Sequence, residues 1–415
     1  MTNLLTMRLL AVGQRSETVR RANLSAIVRE LHDRGPLSRS ELVTRTGLTR
    51  SAIRGLIGEL VAAGLVAEER SLSSGTPGRP SPVVRLASTN AVVLALEISV
   101  DSLAAAVVGL GGEVLDLVRV DRPRSHLSLE RTVQDLLDVL EQLAPPWRED
   151  DRLIGIGVGV AGIVRRSDGF VALAPNLGWR DVALGRQLGE ALRLNAPIAI
   201  ANEADLGALA EHRRGAAVGS DNVLYVAAEV GIGGGLIVDG RPLTGAAGYG
   251  GELGHLPVNR DGLACGCGAI GCWETEAAEA ALLRRAGHPT DGGRAELDAV
   301  LREAASGAPQ AVRAVLETGH WLGYGLAGLV NVLNPGLIVL GGLFGRIHPF
   351  VAEVIAEELA ARALPASRDL VRIVPATLGS DAPLIGAAEL AFEPLLADPA
   401  GWLRRPTSQP ERASA

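Results

Sequence analysis

Residues 248–276 read GYGGELGHLPVNRDGLACGCGAIGCWETE, and the rest of the chain is best understood outward from this stretch. It holds all three cysteines of the protein, Cys265, Cys267 and Cys272, with His255 ten residues before the first of them and glutamates towards both ends. Thiolate and imidazole suit a structural zinc ion, which takes four such ligands in a tetrahedron. Cys265, Cys267, Cys272 and His255 would supply a Cys3His set. Three thiols within eight residues, threaded through Gly262, Gly266, Gly268 and Gly271, are hard to obtain from core packing. An odd cysteine count in a chain large enough to have its own core argues against a disulfide framework.

The chain has 415 residues and 47% hydrophobic content, enough for two or three domains with sizeable cores. The N-terminus lacks the pattern of a signal peptide, and no run of 18 apolar residues occurs, so no membrane span is expected. A reducing cytoplasm follows as the expected location. The net charge of −7 hides an asymmetry, since residues 1–85 carry 13 Arg against 7 Asp plus Glu. That split suggests a basic nucleic-acid module on an acidic body. There is no lysine, so no Schiff-base or phosphate-loop lysine serves any mechanism.

The basic module reads as helix, turn and helix. Over residues 18–33, Leu24, Ile27, Val28 and Leu31 form one apolar stripe at helical spacing. A second helix fits residues 38–46, Gly47 supplies the turn, and Thr49 caps a third helix with Ile53, Leu56, Ile57, Leu60 and Val61 on its apolar side. The other side of that helix presents Thr49, Arg50, Ser51 and Arg54. These residue types reach base edges and phosphates in a major groove. LVAEER and PVVRLA then read as two strands of a wing, joined by a Gly/Pro-rich loop whose Arg79 suits a minor groove. The same loop serves equally well as an interdomain linker.

From residue 91 the pattern changes to three β runs, a helix over 129–143 and a further strand, LIGIGVGVAGIV. NVLYVAAEV and GLIVDG repeat the opening hairpin later, which suggests two related α/β halves closing on a cleft. Two polar groups lie between the repeats. Asn176 sits in PNLGW, and Asn202 with Glu203 follows the strand PIAIA. Amides and carboxylates at strand ends suit sugar hydroxyls, which both donate and accept. Asn176 also suits a plain turn, and Asn202 with Glu203 also suits a helix cap.

Taken together, GELGH at 251–255, CGCGAIGCWE at 265–274, PNLGW, GIGGG at 231–235 and NVLNPGLIVLGG at 331–342 resemble the ROK family (repressors, open reading frames, kinases). The likeness is to its transcriptional regulators of the NagC, Mlc and XylR type and spans nearly the whole chain. It implies a winged helix-turn-helix domain over residues 1–87, followed by a two-lobed actin-like, ribonuclease H-like sugar kinase fold. The first, small α/β lobe would occupy 88–200. The second would occupy 201–395, carrying the zinc loop and returning its last helix to the first lobe, with a disordered tail over 396–415. The resemblance further implies a monosaccharide or sugar-phosphate effector held by Asn176, Asn202, Glu203, Glu252, His255 and Glu274, and a homodimer or tetramer on a double-stranded DNA operator.

Three departures from the kinases of that family argue against phosphoryl transfer. Their D-x-G-G-T loop is here Glu97-Ile98-Ser99-Val100-Asp101, which removes both glycines and adds a carboxylate facing a polyphosphate. Glu229 and Val230 replace the first Gly-Thr of G-T-G-I-G-G-G. Glu203 replaces the catalytic aspartate, and its extra methylene displaces a base by roughly 1 Å, a shift that can cost about a hundredfold. The expected function is therefore a sugar-responsive repressor of carbohydrate genes that does not use ATP. The alternatives are an ATP-dependent hexose or N-acetylhexosamine kinase, and a DNA-binding scaffold with an empty cleft.

Overall fold

The computed structural model describes residues 16–69, 82–124, 128–144, 147 and 152–403. They divide into two compact units. One comprises the chain up to Val92 together with Gly109–Glu113 and the part from Phe392 onward; the other comprises Val93–Val108 and Val114–Ala391.

In the first unit, α1 (Ser16–Arg34) buries Leu24, Ile27, Val28 and Leu31 completely, the stripe that the spacing predicts. Burial of each aliphatic side chain of this size stabilises the unit by about 1.5–3 kcal/mol. After β1 (Leu37–Ser38), α2 (Arg39–Thr46) starts with a reciprocal cap. The Ser38 hydroxyl accepts from the Glu41 N–H at 3.2 Å, and the Glu41 carboxylate accepts from the Ser38 N–H at 2.7 Å. It ends on Gly47 at φ 70°, a left-handed turn that glycine adopts without a steric cost. Thr49 caps α3 (Arg50–Ala62) by accepting from the Ala52 N–H at 3.2 Å. Next come β2 (Val66–Glu69) and β3 (Val83–Leu86), which pair antiparallel, while β1 joins the other edge of β3. Arg79, expected in the wing loop, lies outside the described residues.

The second unit builds one plan twice. Its first pass is β4 (Val92–Ile98), β5 (Ser102–Gly109), β6 (Glu113–Asp121), α4 (Leu129–Leu140) and β7 (Leu153–Val160). A small sheet of β8 (Ile163–Arg165), β9 (Phe170–Ala174) and β10 (Trp179–Val182) follows, then α5 (Leu184–Leu192) and β11 (Ile198–Asn202). Through α6 (Glu203–Arg214) the chain enters its second pass, with β12 (Val223–Ala228), β13 (Ile232–Val238) and β14 (Arg241–Pro242). The helices α7 (Trp273–Ala277), α8 (Glu279–Ala286), α9 (Gly293–Ala305) and α10 (Pro309–Leu333) lead to β15 (Leu337–Gly341), and α11 (Gly342–Arg362) and α12 (Pro365–Arg368) lead to β16 (Arg372–Pro375).

The two five-stranded sheets have the orders β11-β7-β4-β5-β6 and β14-β13-β12-β15-β16. In each, three consecutive strands lie side by side, and the first of them is flanked by strands that arrive through helices. The flanking pairs β7/β11, β12/β15 and β15/β16 are parallel. All residues of β4, β5, β7 and β15 are buried, so these central strands read as largely apolar runs, interrupted by Glu97 in β4 and Ser102 in β5, and not as alternating ones. The stretch expected as one strand over 153–164 breaks into β7 and β8 at Gly162. That residue has φ 138°, and a side chain there would meet Ala174. The helix expected over 129–143 ends at Leu140.

The chain closes with α13 (Ala382–Ala397) and α14 (Pro399–Trp402). A side chain at Gly157 of β7 would overlap the Ala387 carbonyl, so the α13 backbone lies directly on that strand. From Phe392 onward the residues belong to the first unit. There Ser25 Oγ donates to the Leu396 carbonyl at 2.6 Å, and Arg29 and Arg21 pair with Glu393 (2.9 Å) and Asp398 (3.2 Å). The disordered tail expected over 396–415 does not hold for residues 396–403, which are ordered against the first unit. Residues 396–397 and 399–402 are helical, separated by Asp398, with Pro399 in the first turn of α14 and Ala400 buried, while 404–415 lie outside the described residues.

Candidate functional site

In the second unit, the loops after β4, β7, β9, β11 and β12 meet part of the 251–274 segment around a cavity of about 180 Å³. Asn176, Asn202, Glu203, Glu252, His255 and Glu274 all line it. Asn176 rides on the single turn Pro175–Leu177, anchored by buried Leu177 and Trp179. A side chain at Gly231 would stand 2.7 Å from Glu274 Oε2 and 3.5 Å from Asn176 Nδ2, so that glycine leaves both groups open to the cavity. Asn202 is committed in part to structure. Its Oδ1 accepts from the Ala204 N–H at 2.7 Å, capping α6, and its Nδ2 donates to the Gly162 carbonyl at 2.8 Å. One lone pair and one N–H remain for a ligand. Glu203, the first residue of α6, is thereby aimed at the cavity from a helix start.

The cysteines are free and converge with His255, the four ligand atoms lying within 4.8 Å of one another. Short antiparallel bridges, Pro257 with Cys272 and Ala264 with Ile270, fold the segment back on itself. Gly271, at φ 70°, is required at the crossing because any Cβ would overlap the Asn259 carbonyl. Trp273 is fully buried against Phe344 and donates from Nε1 to the Trp321 carbonyl at 2.8 Å, which pins Cys272 and Glu274 on either side of it. Zinc–sulfur bonds of about 2.3 Å and zinc–nitrogen bonds of about 2.0–2.1 Å set tetrahedral edges of about 3.8 Å for S···S and about 3.6 Å for S···N. Cys267 Sγ to Cys272 Sγ is 3.7 Å, and Cys265 Sγ to His255 Nδ1 is 3.6 Å. The donor set and its spacing fit a tetrahedral metal such as zinc, with Nδ1 as the ring nitrogen facing it. His255 Nε2 looks the other way, 4.0 Å from Glu252 Oε2.

The part of the cavity beside β4 and β12 is lined with the chain's own charges. Glu97, buried on β4, pairs with Arg119 at 3.0 Å, and Arg119 also binds Asp381 at 3.1 Å. Asp101 pairs with Arg124 at 3.2 Å and approaches Arg294 at 3.7 Å, while Arg124 also holds buried Glu279. Burial, reinforced by Glu97, Glu229 and Asp101, pushes the Glu203 carboxyl up to about 8. Desolvation of its carboxyl among the cleft residues and then Asp101 raise Glu229, itself an exposed residue, to about 7, and burial followed by Asp205 and Glu274 brings Glu252 to about 7. Glu97 is raised as well, since burial outweighs its pairing with Arg119. Carboxyls raised this far are largely or partly protonated near neutral pH, so they can both donate hydrogen bonds to and accept them from neutral hydroxyls.

In the first unit, α3 exposes Arg50, Ser51 and Arg54 on the side opposite Ile53, Leu56, Ile57 and Leu60. Thr49 is exposed too, but its hydroxyl is already engaged by the Ala52 N–H and lies 3.0 Å from Ser51 Oγ. Among the described residues, no helix is long and apolar enough to cross a membrane. Sequence reasoning identified the acidic cavity residues but missed the arginines that pair with them, and also Arg166 and Asp205. These partners lie up to 262 positions apart in the chain, and no local pattern announces them.

The sequence model of the ROK family matches residues 93–393, and that of the MarR family matches residues 18–75. The chain is 30% identical to the xylose repressor of Bacillus spizizenii over 383 residues, which is 91% of this chain and 97% of that one. It is also 30% identical to the glucokinase of Streptomyces coelicolor, over 73% of this chain and 98% of the other. Among solved structures, a ROK family transcriptional regulator described as a homolog of the E. coli MLC protein superposes with a TM-score of 0.74 at 26% identity, covering 93% of this chain and 98% of that one. A ROK family glucokinase from Streptomyces griseus, in complex with glucose and AMPPNP, gives 0.63 at 28% identity, covering 72% of this chain and 99% of its own.

Proposed function

The chain belongs to the ROK family, with a MarR-type winged helix at its N-terminus, and on that premise we propose that it is a sugar-responsive transcriptional repressor that has lost phosphoryl transfer. One observation carries this reading. Amides, a histidine and glutamates suited to a sugar line the cavity together with Glu97, Asp101 and Glu229, carboxyls that stand at the positions of the kinases' two phosphate loops. Asn176, Asn202, Glu203, Glu252, His255 and Glu274 bind the hydroxyls of a monosaccharide. Cys265, Cys267, Cys272 and His255 hold a structural zinc that orders the loop and fixes the imidazole so that Nε2 serves the sugar. Thr49, Arg50, Ser51, Arg54 and Arg79 contact an operator, as a homodimer on a pseudo-palindromic site.

The sugar acts by binding the DNA-competent and DNA-incompetent states unequally, which is the only way a ligand shifts such an equilibrium. The relatives named as xylose repressors make D-xylose the first ligand to try. DNA fragments selected by the purified protein are titrated with a panel of pentoses, hexoses, N-acetylhexosamines and their phosphates, with and without ATP. Release of DNA by a sugar without ATP is the expected result. Similarity to glucokinases, together with a carboxylate still present at Glu203, favours the second reading, a hexose kinase. Sustained ADP release with any sugar of the panel would establish that reading and displace ours.

A further inference from the structure

The segment that carries Glu252 reaches the cavity through a run of glycines. Gly245, Gly248 and Gly251 all have positive φ, at 70°, 92° and 91°. Such a run has little conformational preference of its own, so its course is set by what it touches. Arg166, in the turn after β8, touches it twice. Its N–H bonds the Ala247 carbonyl at 3.4 Å, and its Cγ lies where a side chain on Gly248 would project. The guanidinium then crosses to α6, where Nη2 donates to Asp205 Oδ2 at 3.1 Å. The Asp205 side chain is only 6% exposed, and its Oδ1 faces Gly251.

Neither residue lines the cavity. A pair this deeply placed is a poor stabiliser, because desolvation offsets the attraction. Arg166 Nε is moreover buried without an acceptor. The contacts connect two parts of the sugar site that no regular hydrogen-bond ladder joins. One is the first turn of α6, carrying Asn202 and Glu203; the other is the glycine run ending at Glu252.

We infer that Arg166 and Asp205 are positioning residues, a clamp that holds residues 245–252 against α6 and so sets the distance between Glu252 and Glu203. The effect on ligand rests on the sugar-responsive reading above, whereas the clamp itself does not. The test uses the zinc-loaded full-length protein and its D205N, R166M and R166M/D205N variants. Three quantities are measured: hydrogen exchange of the 245–252 backbone, zinc content and D-xylose affinity.

Each single variant should speed exchange of that segment at least about tenfold with zinc retained, and the double variant should be no faster than either single, because both remove one interaction. Xylose affinity should fall at least about tenfold in all three. Unchanged exchange, or effects that multiply in the double variant, would overturn the clamp. A single variant that fails to fold leaves one charge buried and unpaired, and the double variant removes that complication; zinc loss in the double variant as well would mark a general structural role and also overturn the inference. If exchange responds as expected while the parent binds no sugar of the panel, the clamp stands and the sugar-responsive reading fails.

Discussion

Replacing Glu203 by Gln should stabilise the sugar-free protein in a pH-dependent way. The folded carboxyl titrates near 8, against 4.5 ordinarily, so between those values the folded chain holds a proton that the unfolded chain has released. Stability of the parent therefore falls as the pH rises through this window and levels off above it. At about 1.4 kcal/mol per unit the upper limit is on the order of 5 kcal/mol. The side chain keeps some contact with cleft water, and screening reduces the expected gain to roughly 1–3 kcal/mol at pH 8.5, with almost none at pH 5. Urea denaturation of parent and E203Q at intervals across that range, followed by tryptophan fluorescence, gives the difference directly. A gap between the two proteins that stays constant with pH would show that Glu203 is not held in an environment hostile to its charge.

Cys267→Ser should reduce bound zinc from one equivalent to near none by metal analysis, lower the thermal midpoint and blunt any response to sugar; a parent free of zinc would remove the metal centre from the argument. Gly271→Ala, which forces a Cβ onto the Asn259 carbonyl at positive φ, should destabilise the second unit by about 3 kcal/mol or more in denaturant titration and release zinc as well. Arg54→Ala should weaken operator binding by about 1–3 kcal/mol if that guanidinium reads a guanine, with xylose affinity unaltered; equal DNA affinity in parent and variant would point to another face of α3.

The helices of the first unit were legible because their signals are local. The apolar stripe of α1, the Gly47 turn and the Thr49 cap all lie within a few residues of the structure they cause. The duplicated sheet plan was visible as two similar apolar hairpins, although the break at Gly162 was not, since it depends on Ala174 standing where a side chain would go. The metal ligands share eighteen residues of chain, so composition alone drew them together. The charge network could not be read in this way. Asp101 and Glu279 are joined only through Arg124, and Glu97 and Asp381 only through Arg119, once both passes of the fold are complete. Asn202 was readable as a cap or as a ligand residue. It is a cap that retains spare hydrogen-bonding capacity, and short motifs carry no information about such double use.

The first unit is also discontinuous along the chain. Its opening helix depends on Ser25, Arg29 and Arg21 finding partners at Leu396, Glu393 and Asp398, and these leave the ribosome about 300 residues after β3. Domains generally fold as units during synthesis. Here the module that would contact DNA is started before the second unit and completed after it. A nascent or prematurely terminated chain thus carries the α3 arginines on a scaffold that lacks its final contacts. The contacts that residues 393–398 make with α1 therefore become available only after the second unit has been made.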